Sequence, residues 1–131
     1  MRHVPPVPTV TVVDPCPLVR GVVAAIVSRH LGYLTRGYED GEAFLAAGPP
    51  EPGCAVVAVE LPGMDGLAVL AELRARGHDL PAVTLTGAGL PAAVARAAGA
   101  AAHLRKPFAA PALADADAVA AAIAAAEPVA P

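Results

Sequence analysis

The chain has 131 residues and a mass of 13.0 kDa, which suits one domain with its own core and no disulfide or metal staple. Apolar residues make up 56% and charged residues 16%, a balance that excludes a disordered charged tail. A net charge of -3, one lysine (Lys106) and no tryptophan exclude the dense basic field and aromatic stacking platforms of general nucleic-acid binders.

Residues 1–8 are proline-rich and read as a loose arm, residues 9–126 as the folded domain and residues 127–131 as a tail. Thr9-Val10-Thr11-Val12-Val13 is β-branched throughout and predicts a buried strand. It stops at Asp14-Pro15-Cys16-Pro17, because proline lacks the N–H that a ladder needs. Leu18, Val19, Val22, Val23, Ile26, Val27 and Leu31 then recur at helical spacing as an inward face, and Gly32 stops that helix. A short strand is expected around Leu34 to Arg36. Asp40 is an N-cap for a short helix with Phe44 and Leu45 inward.

Cys54 to Val59 is a continuous apolar run, the pattern of a strand buried on both faces. After the Leu61-Pro62-Gly63-Met64 loop, Asp65 caps a helix with Leu67, Leu70 and Leu73 inside and Glu72 paired to Arg76 outside. Ala82 to Thr86 is a further buried strand. Gly87-Ala88-Gly89 reads as a turn, since a lone Gly-x-Gly is weak evidence for a phosphate cradle. Pro91 suits the first turn of a helix to about Gly99. Ala101 to Leu104 is a last short strand, and a helix from about Pro111 to Ala126 follows Lys106-Pro107-Phe108. Five strands alternating with helices predict an α/β three-layer sandwich around a parallel sheet. In such sheets sites form at the carboxyl ends of the strands, which points to Asp14, Ala58 to Glu60, Thr86 and Lys106.

Five pieces, in this order and spacing, carry a resemblance. They are Val12-Val13-Asp14, Gly41-Glu42-Ala43-Phe44-Leu45-Ala46, Leu61-Pro62-Gly63-Met64-Asp65-Gly66, Leu85-Thr86-Gly87 and Lys106-Pro107-Phe108. Together they resemble the receiver domain of two-component response regulators, the CheY-like superfamily, from about Thr9 to Ala126. The resemblance implies a flavodoxin-like (βα)5 fold with strand order 2-1-3-4-5. It also implies phosphoryl transfer from a kinase histidine to an aspartate ending the third strand. Two adjacent acids after the first strand would help a divalent cation, while a hydroxyl and a lysine would meet the remaining charge.

Set against that pattern, Asp14 matches the first acid, Pro15 stands in place of the second, and Ala58 stands in place of the acceptor, four residues before Pro62. Thr86 and Lys106 keep their places. His103 holds the switch position, three before the lysine, where the family usually has Tyr or Phe. A methyl group offers no nucleophile, and a lone carboxylate is a poor magnesium site, so Mg²⁺ binding is expected to be weak or absent and no cofactor is expected. Asp14 is expected to pair with Lys106 directly or through water.

Other readings stand beside these. Asp14 caps the following helix or belongs to the site, and Thr86 is a site hydroxyl or a strand-end hydroxyl bonded to nearby backbone. Glu60 and Asp65 are the substitute acceptors, Glu60 only if the third strand continues to it, whereas Asp65 reads first as an N-cap. Cys16 and Cys54 lie at opposite ends of a parallel sheet, which argues against a disulfide, and Cys16 has no histidine nearby in sequence to activate it. His3, His30 and His78 read as surface residues.

The alanine-rich fourth and fifth helices reflect either composition or a close-packing interface. In the latter case the fourth helix, fifth strand and fifth helix make a homodimer, with Arg96, Arg105, Asp115 and Asp117 as complementary charges. No apolar run approaches the about 18 residues of a membrane span, and no hydrophobic leader opens the chain, so a cytoplasmic protein is expected. The expectation is therefore a pseudo-receiver in two-component signalling, not an enzyme. It would act by phosphorylation-independent contact with a signalling protein such as a histidine kinase or another response regulator, without direct nucleic-acid or membrane contact. The alternatives are a phosphorylatable single-domain response regulator using Glu60 or Asp65, and a small-ligand module using the strand-end crevice.

Overall fold

The structure is a computed structural model that describes residues 7–50, 53–87 and 91–105. Five strands, β1 (Thr9–Val13), β2 (Leu34–Tyr38), β3 (Gly53–Ala58), β4 (Ala82–Thr86) and β5 (Ala102–Arg105), form one parallel sheet in the order β2-β1-β3-β4-β5. The helices are α1 (Pro17–Ile26), α2 (Gly41–Ala47), α3 (Gly66–Ala75) and α4 (Ala92–Ala97). The expected strand order is thus the observed one. The last predicted helix, with Asp115 and Asp117, lies outside the described residues, as does Lys106.

The pleat of the central strands divides the core into two clusters. Val10, Val12, Cys54, Val56, Val83 and Leu85 face Val23 and Ile26 of α1. Val13, Ala55, Val57 and Ala82 face Phe44, Leu45, Val69, Leu70, Leu73 and Ala95 from α2, α3 and α4. Every residue of β3 and β4 is buried, as continuous apolar runs require when helices cover both faces. Among the described residues, one buried side-chain oxygen in this core has no hydrogen-bond partner, the Thr11 hydroxyl in the middle of β1.

Several local expectations need correction. Leu18 was placed on the inward face of α1 but is 74% exposed, because it lies in the first turn, before the helix meets the sheet. The helix does not stay α-helical to Leu31; Val27–Leu31 widens into a π turn closed by Gly32 at φ 67. In α3, Val69 is buried with Leu70 and Leu73, whereas Leu67 is only half-buried. β2 runs on to Tyr38, and β3 stops at Ala58, one residue before Val59. The expected caps are present: Asp40 accepts from Ala43 N at 2.8 Å, and Asp65 accepts from Ala68 N at 2.8 Å. The Glu72–Arg76 pair also forms, at 2.9 Å.

Arg74 ties the far end of this half of the sheet together. Its guanidinium donates to the carbonyls of His78 at 2.9 Å, Leu80 at 2.8 Å and Gly99 at 2.9 Å. One side chain thereby joins the end of α3, the approach to β4 and the turn between α4 and β5. Arginine suits this task because its planar fork presents several fixed donors.

Candidate functional site

The carboxyl ends of β1, β3 and β4 meet at one edge of the sheet. The last β1–β3 pair is Val13 with Val57, so Asp14 and Ala58 follow side by side. Asp14 is fully buried, and its N–H donates to Tyr38 O at 3.1 Å, extending the β1–β2 ladder by one bond. Its Oδ1 accepts from Cys16 N at 2.9 Å, closing an Asx turn over Pro15. Arg20 of α1 donates to the Asp14 carbonyl oxygen at 2.6 Å. Asp14 is therefore not the helix cap: the cap position is Cys16, which makes no side-chain cap bond. Instead, Asp14 braces the turn that leads into α1, because two prolines leave that turn short of donors.

Ala58 is fully buried at the end of β3 and contributes a methyl group. Val59 is held on both sides, its N–H donating to Leu85 O at 2.7 Å and its carbonyl accepting from Gly66 N at 2.9 Å. That fixed peptide turns Glu60 toward β4. Although the strand does not reach Glu60, the loop delivers its carboxylate to the end of the neighbouring strand. Glu60 Oε2 accepts from Thr86 Oγ1 at 2.8 Å, and Oε1 accepts from Gly87 N at 2.7 Å. The hydroxyl is buried at its base, while Glu60 itself is exposed, so the carboxylate closes over Thr86 from the solvent side.

The next polar pair lies deeper on the same face of β4. Thr84, fully buried, shares a 2.6 Å hydrogen bond between Oγ1 and His103 Nδ1 across the β4–β5 ladder, where the two residues are register partners. The switch position thus carries a half-buried imidazole bonded to the sheet. Of the interface residues, Arg96 is exposed on α4 and Arg105 ends β5.

A divalent cation at this edge would need several oxygen ligands. Pro15 and Ala58 supply no side-chain oxygen, and among the described residues no three His, Cys, Asp or Glu side chains come together in a way that could hold a metal ion. This donor set is too sparse for such an ion. Both thiols are free: Cys16 is exposed beside the site, and Cys54 is buried at the opposite end of the sheet, where burial pushes its thiol up to about 12.

Sequence reasoning placed Asp14, Ala58 and Thr86 at this edge. It weighed Glu60 only as a substitute acceptor and missed it as the partner of Thr86 and Gly87. The available signal was an acid two residues beyond one strand beside a Thr-Gly pair ending the next.

Comparison with known proteins agrees with this geometry. Residues 10–117 match the response regulator receiver domain family. The chain is 37% identical over 81 residues to the transcriptional regulatory protein FixJ of Azorhizobium caulinodans, covering 61% of this chain and 38% of FixJ. Among solved structures it resembles FixJ-N, with 30% identity, a TM-score of 0.70 and coverage of 92% of this chain and 94% of that one. It also resembles the response regulator StyR, with 33% identity, a TM-score of 0.71 and coverage of 92% of this chain and 62% of that one. The protein belongs to the response regulator receiver domain family of two-component systems. Its match spans well under half the length of FixJ.

Proposed function

We propose that this receiver domain is a pseudo-receiver. It works by phosphorylation-independent contact with another signalling protein, a histidine kinase or a second response regulator, and catalyses no reaction. The observation that carries this reading is the buried methyl of Ala58 at the end of β3, beside Asp14. Phosphoryl transfer to a carboxylate needs an anionic nucleophile held in line, and a methyl group supplies neither charge nor lone pair. Two further features support it. Pro15 removes the second acid, and Asp65, one of the two substitute acceptors, is occupied as the cap of α3.

The test is incubation with Mg²⁺ and acetyl phosphate followed by intact mass measurement. The expected result is no adduct. A gain of about 80 Da that hydroxylamine reverses would mean an acyl phosphate, with Glu60 the first residue to map, and would overturn the reading. The double variant Ala58→Asp with Pro15→Asp is the positive control, expected to acquire the metal-dependent adduct. Partner contact is tested by binding of the full chain to histidine kinases and response regulators, with affinity unchanged by acetyl phosphate.

A further inference from the structure

We infer that Glu60 is a resident anion: its carboxylate fills, from within the chain, an oxyanion-recognition pair formed by the Thr86 hydroxyl and the Gly87 N–H. Small oxyanions can enter only when that carboxylate is removed. The inference deepens the pseudo-receiver reading, and it rests on that reading in requiring that Glu60 be a permanent occupant and not an acceptor.

The geometry gives the reason. Two donors on consecutive residues, one a side chain and one backbone, converge on a single group. Each takes its own carboxylate oxygen, at 2.8 Å and 2.7 Å. The 2.7 Å N–H contact is short, as a charged acceptor makes it, and the 2.8 Å hydroxyl contact has ordinary hydrogen-bond length. Both donors are neutral and stand at the end of β4, and such a pair can also serve a planar or tetrahedral oxyanion. Glu60 reaches them only because Val59 is fixed between Leu85 and Gly66, so little freedom is lost when the carboxylate docks. A short tether of this kind gives an effective concentration in the millimolar range or above. Free phosphate or a free carboxylate therefore competes poorly while Glu60 is present. The exposed position of Glu60 also means that its removal opens the pair to solvent without cutting into the core.

The experiment follows the Gly87 amide resonance in the ¹⁵N-labelled full chain during titration with inorganic phosphate and, separately, acetate, at constant ionic strength. In the wild type the resonance should stay in place. In Glu60→Ala it should move along a saturating curve, with apparent affinity at least about tenfold above wild type. Adding Thr86→Val to that variant should abolish the response. Glu60→Gln keeps the side-chain shape without its charge and should respond between the two. The phosphate and acetate arms tell a tetrahedral preference from a planar one.

A Glu60→Ala chain that is folded yet no more responsive than wild type overturns the inference, and so does a wild type that responds equally. Should Glu60→Ala not fold, an unresponsive Glu60→Gln has the same force. The two readings fail separately. A hydroxylamine-labile adduct on the wild type removes the pseudo-receiver assignment, whereas silent titrations remove only the resident anion.

Discussion

Two glycines in helices should respond in opposite ways to the same added methyl. Gly21 lies in the interior of α1, is exposed, and a Cβ there meets nothing within 4 Å. Gly21→Ala should therefore stabilise the protein by about 0.5–1 kcal/mol, the usual gain from restricting the unfolded chain and improving helix propensity. Gly66 opens α3 directly beneath the site loop. A Cβ there would sit 2.1 Å from Ala58 O and 2.9 Å from Val59 Cα, and these are backbone atoms that cannot rotate aside. Relief needs roughly 1 Å of movement in a close-packed region. That movement stretches the Gly66–Val59 and Val59–Leu85 hydrogen bonds, now 2.9 Å and 2.7 Å. Overpacking of this kind costs about 1–3 kcal/mol, and weakening two hydrogen bonds adds about 1 kcal/mol each. Against a propensity gain below about 1 kcal/mol, the net expectation is a loss of roughly 2–4 kcal/mol. Urea unfolding of wild type, Gly21→Ala and Gly66→Ala measures both signs, and the Gly87 amide shift reports whether Glu60 has been displaced. A Gly66→Ala protein as stable as wild type, with that resonance unmoved, would refute the close-approach argument.

Other perturbations test separate parts of the structure. Thr11→Val replaces an unpartnered buried hydroxyl with a methyl of the same shape and should raise stability by about 1–2 kcal/mol in urea unfolding. Arg74→Met removes three bonds to backbone carbonyls while keeping the aliphatic stem; a loss of about 2–4 kcal/mol is expected, and Arg74→Lys should recover only part of it. An aromatic disulfide reagent should titrate Cys16 at once and Cys54 only on unfolding, because the latter is buried and its thiol is pushed up to about 12. The same shift gives a pH signature. Above the ordinary thiol value of 9.0 the unfolded chain releases the Cys54 proton while the folded chain keeps it. Stability is therefore full below that value and falls as pH rises from 9.0 toward about 12, a slope that Cys54→Ala should flatten.

The fold was legible because its signals are local and repeat at every level. Runs such as Val10 to Val13 and Ala82 to Thr86 can satisfy their apolar surface only between two layers of helices, and Asp40 and Asp65 mark helix starts by their own chemistry. The core face of α1 was misjudged at Leu18 because periodicity identifies a stripe without saying where along the helix the sheet begins. The placement of Asp14, Ala58 and Thr86 followed from the strand ends, whereas the partnership of Glu60 with Thr86 did not. It depends on a bend at Val59, set by a ladder bond to Leu85 and a bond from Gly66, and no periodicity encodes such a bend. The Thr84–His103 bond is similar, since it needs the β4–β5 register before the two residues can be seen as neighbours.

The three-way grip of Arg74 bears on how this domain breathes. The exit of α3, the entry to β4 and the turn at Gly99 share one cation, so the loss of any one of them loosens the side chain that holds the other two. Amide protons in those segments should therefore exchange with a common opening energy, as one cooperative block.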